Sequence, residues 1–246
     1  MNCFMLKEPA GLKVAELYIC VTRGNRMDAY SQRFCQTYKD NDAEWPHKLV
    51  VLCNGGELPP NHRKFFDGVN CEFFNRPNDG GKDMSAYQQY AAERDSDFLV
   101  CFGESIQIRG PGWLRRLVEA RLKYGPGMYG CFSSHMVRAH LNTTAFAIDA
   151  EFLRRHPLIT NQAMRYEAEH GPGCLWQRVF RGGGAAMLVT WSGEYGPGHW
   201  RDGRGIMHDS QQEDCIVWSH HCEEWSVANE PTRTLWTTQS NQPFRL

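Results

Sequence analysis

The sequence lacks long apolar runs, closely spaced cysteine pairs and an excess of charge of either sign. No apolar stretch approaches the roughly 18 to 20 residues that span a bilayer, so we expect no membrane span. The amino-terminal residues contain no long apolar stretch before a cleavage site, and a cytoplasmic location is therefore expected. The 27 basic residues nearly balance the 28 acidic ones. A net charge of −1 excludes a strongly basic chain held on nucleic acid or on an anionic membrane by its overall field.

The ten cysteines lie mostly inside apolar runs, and no two of them form a C-x-x-C pair. Cys20, Cys53 and Cys101 each fall within a run that reads as a strand. This pattern is typical of buried free thiols, and it predicts neither a disulfide framework nor a zinc knuckle. With 246 residues, 41% of them hydrophobic, the chain is long enough for one large domain. We expect a single domain over 1–246, with a nucleotide-binding half at 14–125 and an acceptor-binding half with a tail at 126–246.

Short apolar runs alternate with helical patterns in the first half of the chain. The runs predict strands at 16–22, 48–53, 71–74 and 97–102, and the patterns between and after them predict helices at 27–39, 83–94 and 113–124. Strands that are apolar throughout are typical of a parallel sheet covered on both faces. The alternation predicts an open α/β sheet whose ligands gather at the carboxyl ends of the strands.

The second half has a less regular pattern. It predicts strands at 128–132, 143–148 and 186–190, and helices at 149–155, 173–181 and 209–219. Beyond Trp191 the chain is rich in glycine, histidine, tryptophan and acidic residues. The sequence shows no internal repeat and no low-complexity linker, which also favours a single domain.

Several segments at the ends of the predicted strands resemble the corresponding segments of a known family. They are Val21-Thr22-Arg23-Gly24-Asn25-Arg26, Val51-Leu52-Cys53-Asn54-Gly55-Gly56, Gly80-Gly81-Lys82-Asp83-Met84-Ser85-Ala86-Tyr87 and the segment 98–105. In this order, and over roughly the first 190 residues, the chain resembles a GT-A glycosyltransferase of the family 2 type. Runs at 127–130, 142–146 and 165–171 continue the resemblance. It implies a Rossmann-like, mixed but mostly parallel sheet flanked by helices.

The resemblance also implies a nucleoside-diphosphate sugar as the donor. The residues implied to bind it are Thr22, Arg23, Asn54, Lys82, Asp83, Gly103, Glu104 and Ser105. Loop amides and a short polar side chain can read a nucleobase edge, and Asp83 can accept a hydrogen bond from a ribose hydroxyl. Two structural alternatives stay open: Asn54 followed by Gly55 can simply form a turn, and Asp83 can simply cap a helix.

The metal motif of the family, Asp-x-Asp, falls here on Gly103-Glu104-Ser105. Only Glu104 offers a carboxylate to Mn²⁺ or Mg²⁺. Either Glu104 holds the cation with few protein ligands, or cationic side chains such as Arg109 or Lys82 neutralise the leaving diphosphate.

A late histidine completes the metal site in many such enzymes. The chain offers His199, His208, His220 and His221. We favour His221, and an imidazole ligand would favour Mn²⁺ over Mg²⁺.

Transfer with inversion requires a base for the acceptor hydroxyl. The resemblance places this base near Glu167, Glu169 and His170, among which we favour Glu169. For the acceptor we expect contacts with Trp191, Tyr195 and Trp200, since aromatic faces stack on sugar rings, although such side chains are also common in cores.

The expected function is metal-assisted transfer of a hexose-type sugar to a hydroxyl acceptor, most simply a glycan. A nucleic-acid acceptor stays open because four basic residues cluster on one predicted helix: Arg115, Arg116, Arg121 and Lys123. One alternative is a non-catalytic nucleotide-sugar or glycan-binding module of the same fold. A second alternative is a metal-dependent hydrolase that uses a cluster formed by His199, Asp202, His208, Asp209, Asp214, His220 and His221.

Overall fold

Twelve strands are present in the structure, a computed structural model that describes residues 11–21 and 27–241. They are β1 (Val14–Val21), β2 (Lys48–Asn54), β3 (Cys71–Arg76), β4 (Phe98–Phe102), β5 (Gln107–Ile108), β6 (Gly127–Gly130), β7 (Ser133–Ser134), β8 (His140–Leu141), β9 (Ala145–Asp149), β10 (Ala185–Val189), β11 (Glu194–Tyr195) and β12 (Val217–Trp218).

The helices of the described residues are α1 (Met27–Asp40), α2 (Pro60–Arg63), α3 (Lys82–Glu93), α4 (Trp113–Tyr124), α5 (Ala150–Arg155), α6 (Gln162–His170), α7 (Leu175–Arg181), α8 (His220–Val227) and α9 (Glu230–Ser240). Short 3₁₀ turns occur at Lys64–Phe66, Trp200–Gly203 and Ser210–Asp214.

Eight of the strands form one sheet, in the order β11-β10-β6-β9-β4-β1-β2-β3. Six of them run parallel to one another, whereas β9 and β11 are antiparallel to their neighbours. The predicted fold class, a mixed and mostly parallel sheet flanked by helices in a single domain, is confirmed. Because the sheet takes strands from both halves of the chain, the halves share one core.

The central strands are apolar throughout because both faces of the sheet are covered. In β1, Tyr18 and Cys20 join the hydrophobic cluster on one face, while Leu17 and Ile19 join the cluster on the other. Helices α1 and α4 contribute to the first cluster, and helices α3, α5 and α7 contribute to the second. The parallel strands therefore end together at one rim, between two helical layers.

Most of the predicted elements are confirmed, but the helix predicted at 209–219 is wrong. Residues 210–214 form a 3₁₀ turn, and β12 follows in antiparallel pairing with β5. Tertiary contacts stabilise the non-helical conformation of this segment. Gln212 is fully buried, and its side chain donates a hydrogen bond of 2.9 Å to the Cys222 carbonyl oxygen. The sequence analysis also missed α6, although Asn161 caps its first turn by accepting a hydrogen bond from the Met164 amide at 2.9 Å. No helix in the described part of the chain is long and apolar enough to cross a membrane.

Candidate functional site

A cavity of about 770 Å³ opens at the rim where the parallel strands β1, β2 and β4 end. Its lining comes from both halves of the chain and consists of Ile19, Asn54, Asn78, Asp79, Gly80, Lys82, Asp83, Gly103, Glu104, Ser105, Thr144, Gln162, Arg165, His220 and His221. Six of the predicted donor-binding residues are in this list: Asn54, Lys82, Asp83, Gly103, Glu104 and Ser105. The remaining two, Thr22 and Arg23, lie outside the described residues.

The buried side chain of Arg76 organises one wall of the cavity. Its guanidinium donates hydrogen bonds to Asn54 Oδ1 at 3.0 Å, to Ser85 Oγ at 3.1 Å and to Asp79 Oδ2 at 2.6 Å. Asp79 also accepts a hydrogen bond from the Gly81 amide at 2.9 Å. Arg76 thereby fastens the end of β2 to the loop between β3 and α3, so Asn54 has a structural role besides its place in the lining.

Gly81 lets this loop lie directly against the chain that leads into α6. A Cβ at Gly81 would lie 2.1 Å from the Ile159 carbonyl oxygen, a distance no side chain can occupy. Glycine at this position therefore brings α6 and its Arg165 up to the first turn of α3.

Besides Asp79, the acidic side chains of Asp83 and Glu104 line the cavity. Arg165 grips Asp83 with two hydrogen bonds, from Nε to Oδ1 at 2.7 Å and from Nη2 to Oδ2 at 2.9 Å. Glu104 follows β4, and its main-chain carbonyl accepts a hydrogen bond from the Tyr18 hydroxyl at 2.7 Å. Burial and then the charge of Asp83 raise the pKa of the Glu104 carboxyl above its ordinary value, although Lys82 opposes the shift.

Two histidines at the start of α8 complete the cavity wall. The pairing of β12 with β5 carries the chain back to the loop after β4, where Ser105 Oγ lies 2.7 Å from His220 Nδ1. The His220 and His221 rings lie 3.8 Å apart between centroids. Burial, with further contributions from His220 and His208, lowers the pKa of His221 to about 4, so its imidazole is neutral at pH 7. His221, predicted as a metal ligand, therefore lies in the cavity in the protonation state that a ligand requires.

Glu169, predicted as the catalytic base, lies behind Arg165 and outside the lining. Its Oε1 accepts a hydrogen bond from the Thr143 amide at 3.0 Å, and its Oε2 accepts one from Arg165 Nη1 at 3.2 Å. Burial alone would raise the pKa of Glu169, but His140, Arg165 and His170 outweigh it and lower the pKa. The carboxylate thus stays ionised, and both of its oxygens accept hydrogen bonds. In this position it can hold Arg165 against Asp83.

The other predicted base and the predicted acceptor residues also lie outside the cavity lining. Glu167 is exposed and borders a separate depression of about 250 Å³ together with Met164 and Arg178. Trp200 is 1% exposed and packs edge-on against Trp176, with ring centroids 4.9 Å apart. Trp191 and Tyr195 are half-buried and pack against the two hydrophobic clusters. All three aromatic side chains contribute to packing of the sheet.

The histidines and aspartates of the alternative hydrolase do not form one cluster. His199 pairs with Asp202 at the surface, while Asp214 accepts hydrogen bonds from Ser192. Among the described residues, the two groups with the composition and spacing of a metal site are His220 with His221 and Glu224, and His140 with Glu169 and His170.

The basic residues that left a nucleic-acid acceptor open are paired with acids. The pairs are Arg115 with Glu44, Arg116 with Glu194, Arg121 with Asp149 and Lys123 with Glu194. Arg109, considered for the leaving diphosphate, pairs with Glu213 and lies over the Trp218 ring at 4.0 Å from the centroid. It is not among the lining residues, whereas Lys82 is.

Arg165 was not among the predicted site residues, although it lines the cavity and pairs with Asp83. The residue stands four positions before Glu169, a spacing that brings two side chains together only on a helix. The N-cap Asn161 was the available signal for that helix.

A scan against protein-family models finds no match, and a search of curated proteins finds none. Solved structures with a similar fold include S. aureus TarS, with 8% sequence identity and a TM-score of 0.46 over 63% of this chain and 32% of that chain. The mannosyltransferase PcManGT from Pyrobaculum calidifontis, in complex with GDP-Man and Mn²⁺, has 11% identity and a TM-score of 0.44 over 61% of this chain and 50% of that one. A cytidylyltransferase from Leptospira borgpetersenii has 11% identity and a TM-score of 0.46 over 63% of this chain and 71% of that one. This chain therefore matches about a third of the length of TarS, and at these identities the matches assign neither a family nor an activity.

Proposed function

We propose that the chain is a glycosyltransferase of the GT-A type that binds a nucleoside-diphosphate sugar in the cavity and transfers the sugar to a hydroxyl acceptor. The observation that carries the proposal is the convergence of Asn54, Lys82, Asp83, Glu104 and His221 on one cavity at the carboxyl ends of the parallel strands. This rim is where open α/β sheets bind nucleotides. A volume of about 770 Å³ also falls in the range of small-molecule and cofactor sites.

The charge of the lining favours a diphosphate that arrives with a divalent cation. Asp79 pairs with Arg76, and Asp83 pairs with Arg165. Of the charged lining side chains, this leaves Lys82 and Glu104 to meet the ligand. One lysine beside a carboxylate does not balance the charge of a diphosphate, whereas a divalent cation held by that carboxylate would.

Glu104 and His221 fit the requirements of such a cation. Glu104 offers carboxylate oxygens, and no side-chain hydrogen bond within the described residues occupies them. His221 offers a neutral imidazole nitrogen. A mixed oxygen and nitrogen donor set favours Mn²⁺ over Mg²⁺. The chemistry that the cation supplies is stabilisation of negative charge on the departing diphosphate.

The residues of the chain itself position the donor. Lys82 reaches the cavity beside Glu104 and can neutralise a phosphate oxygen. Asp83, fixed by Arg165, can accept hydrogen bonds from the ribose hydroxyls. The donor-binding roles of Thr22 and Arg23, the transfer of a hexose and the inversion of configuration remain predictions.

The direct experiment measures release of nucleoside diphosphate from a panel of sugar nucleotides. The purified chain is incubated with Mn²⁺, each donor and a mixture of small hydroxyl acceptors, and the glycosylated product is identified by mass spectrometry. We expect release with at least one donor, and loss of release in Glu104→Gln. Glu57→Gln is the matched control because its side chain is 77% exposed and lies outside the cavity.

The same panel separates the transferase from the non-catalytic alternative. Tight donor binding in the cavity without any release of nucleoside diphosphate would favour a binding module. No binding of any sugar nucleotide would overturn both functions.

A further inference from the structure

A second group of metal-ligating side chains lies behind Arg165, outside the cavity lining. It combines His140, from β8, with Glu169 and His170, the last two residues of α6. One donor atom from each side chain lies within 4.8 Å of the other two. His140 is 1% exposed and Glu169 is 6% exposed, so bulk water does not reach these donors freely.

The hydrogen bonding of His140 leaves one ring nitrogen available. Its Nδ1 lies 2.8 Å from the Arg138 carbonyl oxygen, which can only accept a hydrogen bond. Nδ1 therefore carries the proton, and Nε2 keeps its lone pair. This Nε2 is buried and has no hydrogen-bond partner among the described residues. Metal-binding histidines commonly donate their second N–H to a backbone carbonyl in this way, which fixes the tautomer and the orientation of the ring.

Two more buried polar atoms, on His170 and on Thr143, also lack a partner within the described part of the chain. The Nδ1 atom of His170 and the hydroxyl oxygen of Thr143 are both buried and lack a hydrogen-bond partner among the described residues. The Thr143 amide holds Glu169 Oε1 at 3.0 Å. Buried polar atoms are usually hydrogen-bonded, so nitrogens on both rings of the group that lack a partner within residues 11–21 and 27–241 favour a ligand at this position.

The three side chains also lie directly against one another. His170 Nε2 lies 3.6 Å from Glu169 Oε2, and the His140 and His170 rings pack edge to face with their centroids 4.4 Å apart. The donors of the group therefore meet in one small region between β8 and the end of α6.

We propose that His140, Glu169 and His170 form a zinc site. Two imidazoles and one carboxylate are an established set of protein ligands for Zn²⁺, with a fourth position left for water. Donor atoms about 2.1 Å from a tetrahedral ion lie about 3.4 Å apart, so small side-chain rotations bring the three donors together. Glu169 can bind the ion without leaving Arg165 unpaired, because Arg165 also makes two hydrogen bonds to Asp83.

The zinc site does not depend on the proposed transferase activity. It is tested on the full-length protein, stripped with chelator, loaded with ZnCl₂ alone and desalted. We expect about one zinc per chain in elemental analysis. X-ray absorption of the loaded wild type should show nitrogen and oxygen ligands, including two imidazoles and no sulfur, and this measurement needs no variant.

Variants locate the ion. His140→Asn and His170→Asn should each lower the zinc affinity at least tenfold, whereas His221→Asn, in the cavity, and the exposed His199→Asn should retain the stoichiometric zinc. Circular dichroism verifies that each variant is folded, and His170→Asn, at the more exposed position, serves if His140→Asn does not fold. Absence of retained zinc, sulfur ligation, or loss of zinc only in His221→Asn would each overturn the proposal.

Discussion

At the residue scale, Arg165 connects the cavity to the carboxylate that lies behind it. Its guanidinium pairs with Asp83, in the lining, and with Glu169, outside the lining. Asn54, Asp83 and Glu104 were predictable as lining residues because parallel strands end at one rim, but no sequence pattern indicates that Arg165 lies between Glu169 and the cavity. The aromatic residues expected at the acceptor contribute to packing, since the same large apolar faces suit both purposes.

Glu169→Gln distinguishes a positioning residue from a catalytic base. If Glu169 positions Arg165, the neutral amide weakens the charged contact, and the dissociation constant or KM of the donor rises about tenfold. The turnover number at saturating donor should change little. Kinetics at varied donor concentration give both values, and a fall in kcat of several orders of magnitude with an unchanged KM would instead support the base.

Glu104 should confer a pH dependence on Mn²⁺-assisted donor binding. Protonation removes the carboxylate charge that binds the cation, and the pKa of Glu104 is raised by burial and by Asp83. Binding should therefore weaken as the pH falls, beginning above the ordinary value of 4.5. The loss precedes protonation of His221, whose pKa is about 4. Calorimetric titrations between pH 7.5 and about 5 measure this. Glu57→Gln should show the same acid limb as the wild type, and an affinity that stays constant over this range would contradict the role of Glu104.

At the element scale, periodic apolar patterns predicted the core strands and helices and failed where tertiary contacts define an element. Helix α4 was predicted with its observed bounds, and β1 and β2 were found to within two residues at each end. The segment 209–219 has helical composition, but Gln212 is held by Cys222 and β12 pairs with β5. Such contacts join residues far apart in sequence, and no local pattern reports them.

The loop between β3 and α3 should depend on Arg76. Its side chain is 2% exposed and donates hydrogen bonds to Asn54, Ser85 and Asp79, so Arg76→Met leaves these acceptors without their donor. We expect the free energy of unfolding to fall by about 1 to 3 kcal/mol. Urea denaturation measures this loss.

Arg155→Met is the matched control for Arg76→Met. Arg155 is 73% exposed and pairs with Glu151 on the same helix, so its loss should cost less than about 1 kcal/mol. Equal losses in the two variants would contradict the role assigned to Arg76.

At the scale of the whole molecule, two groups of histidines lie on elements outside the eight-stranded sheet: His140 and His170 on β8 and α6, and His220 and His221 on α8. The groups are separated by Arg165, which belongs to the cavity lining and contacts Glu169 of the buried group. This arrangement depends on α6 and α8 converging on the rim, which only the folded chain reveals. Composition and strand order predicted the location of the site, while long-range packing determined its contents.

The metal-free protein should lose stability as the pH falls from about 6.5 towards 4. The pKa of His170 is about 4 in the folded chain against 6.5 ordinarily, so the unfolded chain binds a proton that the folded chain excludes. The free energy of unfolding therefore decreases as the pH falls through this window, by at most about 1.4 kcal/mol per pH unit from this residue. Urea denaturation at several pH values, in the presence of chelator, should show a shallower decrease of the free energy of unfolding in His170→Asn than in the wild type. An equal pH dependence in the two proteins would contradict the lowered pKa of His170.

The central claim is that the cavity binds a sugar nucleotide through a cation held by Glu104 and His221. The most direct measurement is the thermal stability of the protein with a panel of nucleoside-diphosphate sugars, with and without Mn²⁺. A donor at a hundred times its dissociation constant should stabilise the wild type by about 2.7 kcal/mol when Mn²⁺ is present. The stabilisation should disappear with chelator and in Glu104→Gln. Stabilisation that is equal with and without Mn²⁺ and unaffected by Glu104→Gln would contradict the account.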